Sequence, residues 1–309
     1  MKAAFIFSGQ GAQRVGMGKD IYDNSAAGAA VYREADSVLG WSVSDVCFNG
    51  PEEKLTESKY CQVAIFVTSM ACLAAFHEKF GDAVKPVGAA GLSLGEYGAL
   101  CCADYFSFAD GLRLVARRAE LMDAACRETH GTMACVLTKG AAPADVIRKI
   151  CADCGIDVAN YNSPGQIVIS GVEDGVAKAS EQIKTLEGIR KIIPLKVAGA
   201  YHSRLMAKAG EQLRDVLDGI TVRQNKVPVA QNVTGGITED DTQIKANLVS
   251  QVAGSVRWVD CVNALSSLGA DTFIEFGPGT VLTGLVKQID PAKALFNVSS
   301  CEDLGKIQL

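Results

Sequence analysis

The strongest constraint on the fold is a pattern that occurs three times, in which a short apolar segment runs into a glycine-containing loop and then into a helical segment. The apolar segments are residues 3–7, 87–90 and 272–276, and the loops are residues 8–11, 91–95 and 277–279. Short apolar strands that alternate with helices are typical of a parallel sheet covered on both faces. Because such sheets bind ligands beyond the carboxyl ends of their strands, we expect all three loops to lie at one functional edge.

The middle of the chain has a different rhythm. Strand-like and helix-like segments follow one another there in the order βαββαβ, the split βαβ arrangement of ferredoxin-like modules. The six segments are residues 132–138, 142–154, 156–161, 166–170, 173–186 and 191–197. We therefore predict an α/β fold in which a small ferredoxin-like α+β domain, residues 128–197, is inserted into a larger domain of residues 1–127 and 198–309. A chain of 309 residues is long enough for both.

Composition favours an ordinary globular protein of the cytoplasm. Apolar residues make up 48% of the chain and charged residues 21%, which excludes a disordered chain. The N-terminal segment lacks the pattern of a signal peptide. The longest apolar stretch, residues 63–76, is shorter than the roughly 20 residues that span a bilayer, so we interpret it as a buried helix. A net charge of −5 gives no reason to expect nucleic acid or an anionic membrane as a partner.

The eleven cysteines are expected to be reduced thiols. Their odd number argues against a closed disulfide framework, and several lie in apolar runs where a thiol acts as a small hydrophobic group. The one CxxC pair, Cys151 and Cys154, falls in a predicted helix without a second pair or a nearby histidine to complete a zinc site. We favour a structural role for these cysteines and predict no metal site.

The segment 91–95, Gly-Leu-Ser-Leu-Gly, matches the nucleophile elbow G-x-S-x-G. In that motif a sharp turn between a strand and a helix lifts a serine hydroxyl above the sheet, and the glycines allow close backbone packing. The match alone is weak, but an apolar strand precedes it and a helix follows, as the chemistry requires. Ser93 is therefore a candidate nucleophile, and an incidental turn is the alternative.

A serine hydroxyl needs a base within hydrogen-bond reach, and the chain has three histidines. His77 ends the apolar helix, where a capping or cationic role at the helix C-terminus is the simpler interpretation. His130 lies in a predicted linker and is expected to be solvated. His202 stands just before a helix that Ser203 could cap, and by elimination it is the best candidate base, with a structural histidine as the alternative.

Two further features favour an acyl-transfer site. The helix after the elbow should point backbone N–H groups, notably that of Leu94, at an oxyanion, and the loop of residues 9–11 is available for a second donor. Arg117 and Arg118 are adjacent in a predicted helix, so they cannot share a face. A guanidinium turned toward the sheet edge would bind a substrate carboxylate bidentately, whereas two solvated arginines are an equally good interpretation of the sequence.

Seven motifs, in their order along the chain, resemble the malonyl-CoA:acyl carrier protein transacylase family, acyltransferases of fatty acid and polyketide synthesis. They lie at residues 7–13, 91–96, 160–171, 199–203, 231–234, 251–258 and 276–279. The resemblance covers nearly the whole chain and implies an α/β-hydrolase-like large domain with a ferredoxin-like insert. It further implies transfer of a malonyl group from malonyl-CoA to the pantetheine thiol of holo acyl carrier protein, by a ping-pong mechanism without a cofactor.

The resemblance also implies roles for individual residues. Ser93 corresponds to the acylated nucleophile and His202 to its general base, which this family orients through a backbone carbonyl near Gln251 instead of a carboxylate. The backbone N–H groups of Gln10 and Leu94 correspond to the oxyanion hole.

Side chains of the same cleft are implied in the same way. Arg118 corresponds to the clamp for the malonyl carboxylate. The other polar residues that match the lining of the cleft are Gln62, Asn162 and Gln251.

Three positions depart from the family pattern. Leu92 stands where the family usually has histidine, so any polar role of that side chain is lost. Ser8 replaces a proline, which we expect to loosen the oxyanion loop. Tyr201 stands where malonyl-selective members often have phenylalanine, and its ring is still expected to block a branched acyl chain.

Other functions stay open on the sequence. A hydrolase would use the same elbow to release the acyl group to water, although Arg118 and the missing triad carboxylate argue against it. A non-catalytic module that binds carrier protein would work without Ser93. A discrete acyltransferase of a polyketide synthase would use the same chemistry on another carrier protein.

The expected partners are malonyl-CoA and acyl carrier protein, and we expect a monomer. Because the carrier protein is acidic in this family, docking on an acidic chain needs a local basic patch. The candidates for that patch are Lys178, Lys184, Arg190, Lys191 and Arg204.

Overall fold

The computed structural model describes residues 1–223 and 227–307. In this part of the chain the strands are β1 (Ala3–Phe7), β2 (Gly88–Gly91), β3 (Gly131–Thr138), β4 (Asp157–Ser163), β5 (Gln166–Val172), β6 (Ile189–Pro194), β7 (Val229–Gln231), β8 (Gly236–Ile237), β9 (Thr272–Phe276) and β10 (Ala294–Val298). The helices are α1 (Lys19–Asn24), α2 (Ala26–Leu39), α3 (Val43–Asn49), α4 (Glu52–Thr56), α5 (Ser58–Phe80), α6 (Gly95–Cys102), α7 (Phe108–Glu128), α8 (Ala144–Asp153), α9 (Glu173–Lys184), α10 (Ala207–Asp218), α11 (Asp241–Gln251), α12 (Trp258–Ser267), α13 (Val281–Ile289) and α14 (Cys301–Lys306).

Six strands form a mostly parallel sheet in the order β10-β9-β1-β2-β7-β8, in which β7 and β8 pair antiparallel. All five residues of the central strand β1 are buried, as expected of a strand covered on both faces. On one face, the ring of Phe5 packs against Phe76 and Phe276, with centroids 5.4 and 4.9 Å away. On the other face, Ala4 and Ile6 belong to a separate apolar cluster.

Parallel pairing brings the carboxyl ends of three strands to one edge of this sheet. Phe7 at the end of β1 lies opposite Gly91 of β2 and Phe276 of β9. The three glycine-containing loops therefore leave the sheet at the same edge. The predicted α/β class and mostly parallel sheet are confirmed.

The second sheet is antiparallel, with the order β4-β5-β3-β6. Its strands and the helices α8 and α9 follow one another as βαββαβ, and the two helices pack on one face through an apolar cluster. All six elements lie within residues 128–197, while the limits of the two domains themselves stay a prediction.

The small sheet is attached to the large domain next to the end of α11. The backbone N–H of Tyr161 in β4 donates to the carbonyl of Val256 at 2.9 Å, and the N–H of Val256 donates to the carbonyl of Ala159 at 2.8 Å. This pairing holds the segment that follows α11 against the edge strand β4.

Some elements differ in extent from the prediction. The apolar stretch 63–76 is the middle of α5, which has 23 residues. Among the described residues this is the one helical segment long and apolar enough to cross a bilayer, and most of it is buried inside the protein. The helix that Ser203 is expected to cap begins as a short 3₁₀ turn, Arg204–Met206, and α10 follows it; Ser203 caps that turn.

Candidate active site

The nucleophile elbow forms between β2 and α6, with Ser93 at its tip. The φ angle of Ser93 is 54°, in the left-handed region that serine rarely occupies. A Cβ on Gly91 would lie 1.9 Å from the carbonyl carbon of Gly95, and a Cβ on Gly95 would lie 2.0 Å from the carbonyl oxygen of Phe7. Glycine is therefore required at both positions, because the turn brings α6 into contact with the strand ends.

Asn232, which follows β7, holds the elbow in this conformation. Its Oδ1 accepts a hydrogen bond from the backbone N–H of Ser93 at 2.7 Å, and its Nδ2 donates to the carbonyl of Gly91 at 2.8 Å. The side chain is fully buried. The sequence indicated the 231–234 motif but not that Asn232 holds the elbow. The one signal for this role was an asparagine directly after a buried strand.

Ser93 and His202 are in direct contact. Ser93 Oγ lies 2.7 Å from His202 Nε2, and His202 Nδ1 lies 2.9 Å from the carbonyl of Gln251 and 3.1 Å from that of Gly254. Because a carbonyl only accepts, the hydrogen-bond pattern assigns the proton to Nδ1 and leaves the Nε2 lone pair facing the serine hydroxyl. Among the described residues no carboxylate bonds to this imidazole, so backbone carbonyls orient it.

The surroundings of His202 favour its neutral form. Burial, and secondarily the nearby Arg118 guanidinium, lowers the pKa of the imidazole to about 4. The two backbone carbonyls act in the opposite direction. At neutral pH the ring is therefore an uncharged hydrogen-bond acceptor next to a hydroxyl.

Of the two adjacent arginines, Arg118 faces inward. Its side chain is 1% exposed, whereas Arg117 is exposed and pairs with Glu120 at 3.1 Å. Arg118 Nη2 donates to Ser93 Oγ at 2.9 Å. Among the described residues no carboxylate lies within salt-bridge distance of Arg118, and its Nε has no hydrogen-bond partner. A buried cation with an unused donor beside the candidate nucleophile suits an anionic ligand.

Amide side chains surround this guanidinium. Gln62 Oε1 accepts from Nη1 of Arg118 at 2.6 Å, and Gln251 Oε1 accepts from Nη2 at 3.0 Å. Gln62 Nε2 also reaches Gln10 Oε1 at 3.4 Å. The structure thus brings Gln62, Gln251 and Gln10 together with the serine and the arginine.

The two predicted oxyanion donors lie at the sheet edge. Leu94 precedes the first residue of α6, and Gln10 lies in the loop after β1. In the described part of the chain, neither backbone N–H donates to a protein acceptor. Both groups are therefore available to a ligand oxygen.

Ser8, which we expect to loosen this loop, makes contacts of its own. Its hydroxyl lies 3.3 Å from Glu275 Oε1 and from the carbonyl of Phe276, and 3.2 Å from the carbonyl of Pro278. The serine ties the loop after β1 to the loop after β9, a contact that proline lacks.

Two other predicted residues lie outside the central hydrogen-bond network. Tyr201 is 6% exposed, and its hydroxyl lies 2.5 Å from Ser58 Oγ at the start of α5. Asn162 lies on β4, and its Oδ1 is buried without a hydrogen-bond partner in the described residues. No hydrogen bond joins either side chain to Ser93, His202 or Arg118 within residues 1–223 and 227–307.

Sequence reasoning missed one buried charge beside the site. Glu96, the second residue of α6, is fully buried and accepts hydrogen bonds from Gln231, Asn232 and Gln251. The only signal was an acidic residue next to the elbow motif.

The cysteines and other potential metal ligands form no metal site in the described chain. All eleven cysteines are free thiols, Cys151 and Cys154 included. No group of three or more His, Cys, Asp or Glu residues with the spacing of a metal site occurs in the part that the structure describes.

Comparison with known proteins agrees with this geometry. Residues 4–308 match the family described as acyl transferase domain. The chain is 40% identical over 305 residues to malonyl CoA-acyl carrier protein transacylase of Bacillus subtilis, covering 98% of this chain and 95% of that protein.

Solved structures show the same relationship. The crystal structure of malonyl CoA-acyl carrier protein transacylase from Clostridium perfringens superposes with a TM-score of 0.92 at 38% identity, over 99% of this chain and 96% of that one. A malonyl-transacylase solved in complex with a type II PKS acyl-carrier protein has a TM-score of 0.93 at 33% identity, over 99% and 98% of the two chains. The fold, the site and these full-length matches lead to one conclusion: the chain belongs to the acyl transferase domain family.

Proposed function

We propose that this protein transfers a malonyl group from malonyl-CoA to the pantetheine thiol of holo acyl carrier protein in fatty acid biosynthesis. The observation that carries the proposal is the contact between Arg118 and Ser93 Oγ, at 2.9 Å. It places a buried cation without a carboxylate partner beside the candidate nucleophile, where the free carboxylate of a malonyl thioester would pair with it. The names of the full-length relatives support the same substrates.

In the first half-reaction Ser93 becomes acylated. His202 Nε2 accepts the hydroxyl proton while Oγ attacks the thioester carbonyl, and the backbone N–H groups of Gln10 and Leu94 stabilise the oxyanion. When the C–S bond breaks, the imidazolium returns the proton to the departing thiolate. The products are malonyl-serine ester and coenzyme A.

The second half-reaction reverses the roles. The pantetheine thiol of the carrier protein replaces coenzyme A, His202 accepts the thiol proton, and the thiolate attacks the serine ester. The ester C–O bond breaks and Ser93 recovers its proton from the imidazolium. Each step is a proton transfer or an acyl substitution, and we propose that these residues carry it without a metal or redox cofactor.

The same chemistry would serve a polyketide pathway. The relative solved with a type II PKS acyl-carrier protein favours this as the second candidate function. The choice of carrier protein separates the two, and loading of a fatty acid carrier protein at least as fast as a polyketide one is expected here.

We also propose a cytoplasmic monomer that needs neither nucleic acid nor membrane.

For carrier-protein docking, all five candidate basic residues are exposed, but Arg204 already pairs with Asp157 at 2.8 Å and Lys184 with Glu181 at 2.6 Å. Lys178, Arg190 and Lys191 are therefore the stronger candidates for contact with an acidic partner.

Intact-mass spectrometry tests the proposed function. The protein is mixed with malonyl-, methylmalonyl- or acetyl-CoA in the absence of carrier protein, with Ser93→Ala as the control. We expect a stable malonyl adduct on the wild type, little adduct from the other two thioesters and none on S93A. Rapid loss of the adduct to water would identify a hydrolase, and no malonyl adduct at all would contradict the proposal.

The acid limit of acylation follows from the environment of His202. Only the neutral imidazole accepts the serine proton, and the pKa of His202 is lowered to about 4. Activity is lost as the pH falls through the pKa of His202 in the folded protein. We therefore expect kcat/KM for malonyl-CoA to stay level from about pH 8 to about pH 5 and to decline only below about pH 5. An unperturbed histidine would instead give an inflection at about pH 6.5.

The pH profile is interpretable only while the protein stays folded. Circular dichroism at each pH supplies that control, since the unfolded chain binds the histidine proton more tightly and acid therefore favours unfolding. An acid limb near pH 6.5 in folded protein would contradict the assignment of a buried neutral base.

A further inference from the structure

Glu96 is a buried acidic group for which the acyl-transfer steps above have no use. Its carboxylate is fully buried at the start of α6. Oε1 accepts from Gln231 Nε2 at 2.9 Å, and Oε2 accepts from the backbone N–H of Asn232 at 2.9 Å and from Gln251 Nε2 at 3.0 Å. All three partners are donors, so the arrangement fits an ionised carboxylate and leaves no acceptor for a carboxyl proton.

Two of these partners hold the catalytic groups. Asn232 braces the elbow through its contacts with Ser93 N and Gly91 O. Gln251 Nε2 donates to the carbonyl of Ser93 at 2.8 Å, and the backbone carbonyl of Gln251 orients His202. The carboxylate therefore connects to Ser93 through two separate residues, the backbone of Asn232 and the side chain of Gln251.

The third connection is to the buried cation. Gln251 Nε2 donates to Glu96 while Gln251 Oε1 accepts from Arg118 Nη2 at 3.0 Å, so one amide stands between the two charges. Burial lowers the pKa of Arg118, and the charge of Glu96 acts in the opposite direction. Burial raises the pKa of Glu96, while its three donors and the charge of Arg118 lower it.

A buried guanidinium needs a counter-charge, since removing an ion from water is unfavourable. A carboxylate in direct contact would occupy the N–H groups that a substrate carboxylate needs. Here the counter-charge lies behind Gln251, and the Nε of Arg118 has no hydrogen-bond partner among the described residues. The amide thus separates charge compensation from ligand binding.

We propose that Glu96 is a positioning residue whose buried charge compensates Arg118 through the side-chain amide of Gln251, so that the guanidinium is held in place for an acyl carboxylate without a protein carboxylate in contact with it. The role in substrate choice rests on the proposed function. The charge coupling between the two residues does not.

A double-mutant cycle on thermal stability tests the coupling without any substrate. E96Q removes the charge and keeps the shape of the side chain. It loses the hydrogen bond from Gln231, because Gln231 Oε1 already accepts from Asn247 at 2.7 Å and cannot turn toward the new amide. We expect E96Q to lower the Tm of the wild type but to raise the Tm of R118M by at least about 2–4 °C, because the uncompensated carboxylate disappears. Equal losses of Tm in both backgrounds would overturn the proposal, since a purely structural hydrogen-bond acceptor behaves that way. If R118M does not fold, R118Q replaces it in the cycle.

Substrate selectivity gives a second, independent measurement. The ratio of kcat/KM for malonyl-CoA to that for acetyl-CoA isolates the free carboxylate, because the serine chemistry is common to both. Because Glu96 holds Arg118 in place through Gln251, E96Q should lower the ratio by about tenfold, since a misplaced guanidinium pairs less well with that carboxylate. An unchanged or raised ratio would overturn the role in substrate choice.

Asp36→Asn is the matched control. Asp36 accepts from the backbone N–H groups of Val43 and Ser44 at 2.7 and 3.2 Å, at the start of α3 and outside the site. D36N therefore removes a carboxylate that accepts backbone donors and should lower Tm without changing the selectivity ratio. If malonyl transfer itself fails in the wild type, the proposed function fails, but the Tm cycle still decides whether Glu96 and Arg118 are coupled.

Discussion

Replacing His202 with Ala should lower kcat/KM for acylation of Ser93 by malonyl-CoA by about 10³-fold, within the range of about 10²–10⁴ for a lost general base. The physical reason is the 2.7 Å contact between His202 Nε2 and Ser93 Oγ, together with a ring proton committed to backbone carbonyls. Without the imidazole, a serine hydroxyl must lose its proton to water during the attack. Time-resolved intact mass of the acyl-enzyme measures the effect.

His130→Ala provides the matched control, because His130 is exposed and outside the site. That variant should acylate at the wild-type rate. Acylation of H202A within a factor of about three of the wild type would remove His202 from the mechanism, since even a modest general base contributes about 10²-fold.

Replacing Arg118 with Ala should lower kcat/KM for malonyl-CoA by about 10²–10⁴-fold, because truncating one partner of a buried charge pair costs about 3–5 kcal/mol. The acetyl group of acetyl-CoA has no carboxylate to pair, so its kcat/KM should not fall in the same way and the preference for malonyl should disappear. The two steady-state constants, measured on the same preparation, decide the outcome.

Arg117→Ala is the control for this substitution, since Arg117 is adjacent in sequence but exposed and paired with Glu120. R117A should keep the wild-type preference. Unimpaired malonyl loading by folded R118A would refute the clamp, and an equal loss for both thioesters would assign Arg118 to the serine alone.

Local chemistry explains why much of the architecture was predictable. Each of the three strand-loop-helix units is encoded by neighbouring residues, because an apolar run, a glycine turn and a helical segment can be recognised within about 20 residues of sequence. Ser93 follows from the same logic, since the glycines at 91 and 95 are required by contacts within 2.0 Å of where a Cβ would lie. The βαββαβ order of the small sheet was predictable for the same reason, with errors of a few residues at the element ends.

Apart from the family resemblance, which implied Arg118 and a backbone carbonyl near Gln251, only the tertiary structure decided which charged groups meet. Adjacent arginines carry no signal of which one turns inward, and Arg118 does so because of how α7 packs against α5 and α10. Backbone carbonyls, unlike carboxylates, are present at every residue, so no local pattern shows that Gln251 and Gly254 orient His202.

Glu96 marks the limit of sequence reasoning most clearly. An acidic residue in the first turn of a helix is ordinarily explained by the helix dipole, and nothing nearby indicates otherwise. Its three donors come from residues at least 135 positions away along the chain. Sequence by itself thus determined the strands, the turn and the candidate nucleophile, because these depend on adjacent residues. Only the tertiary structure decided the charge arrangement around Ser93, because buried charges are set by groups that chain folding brings together from distant segments.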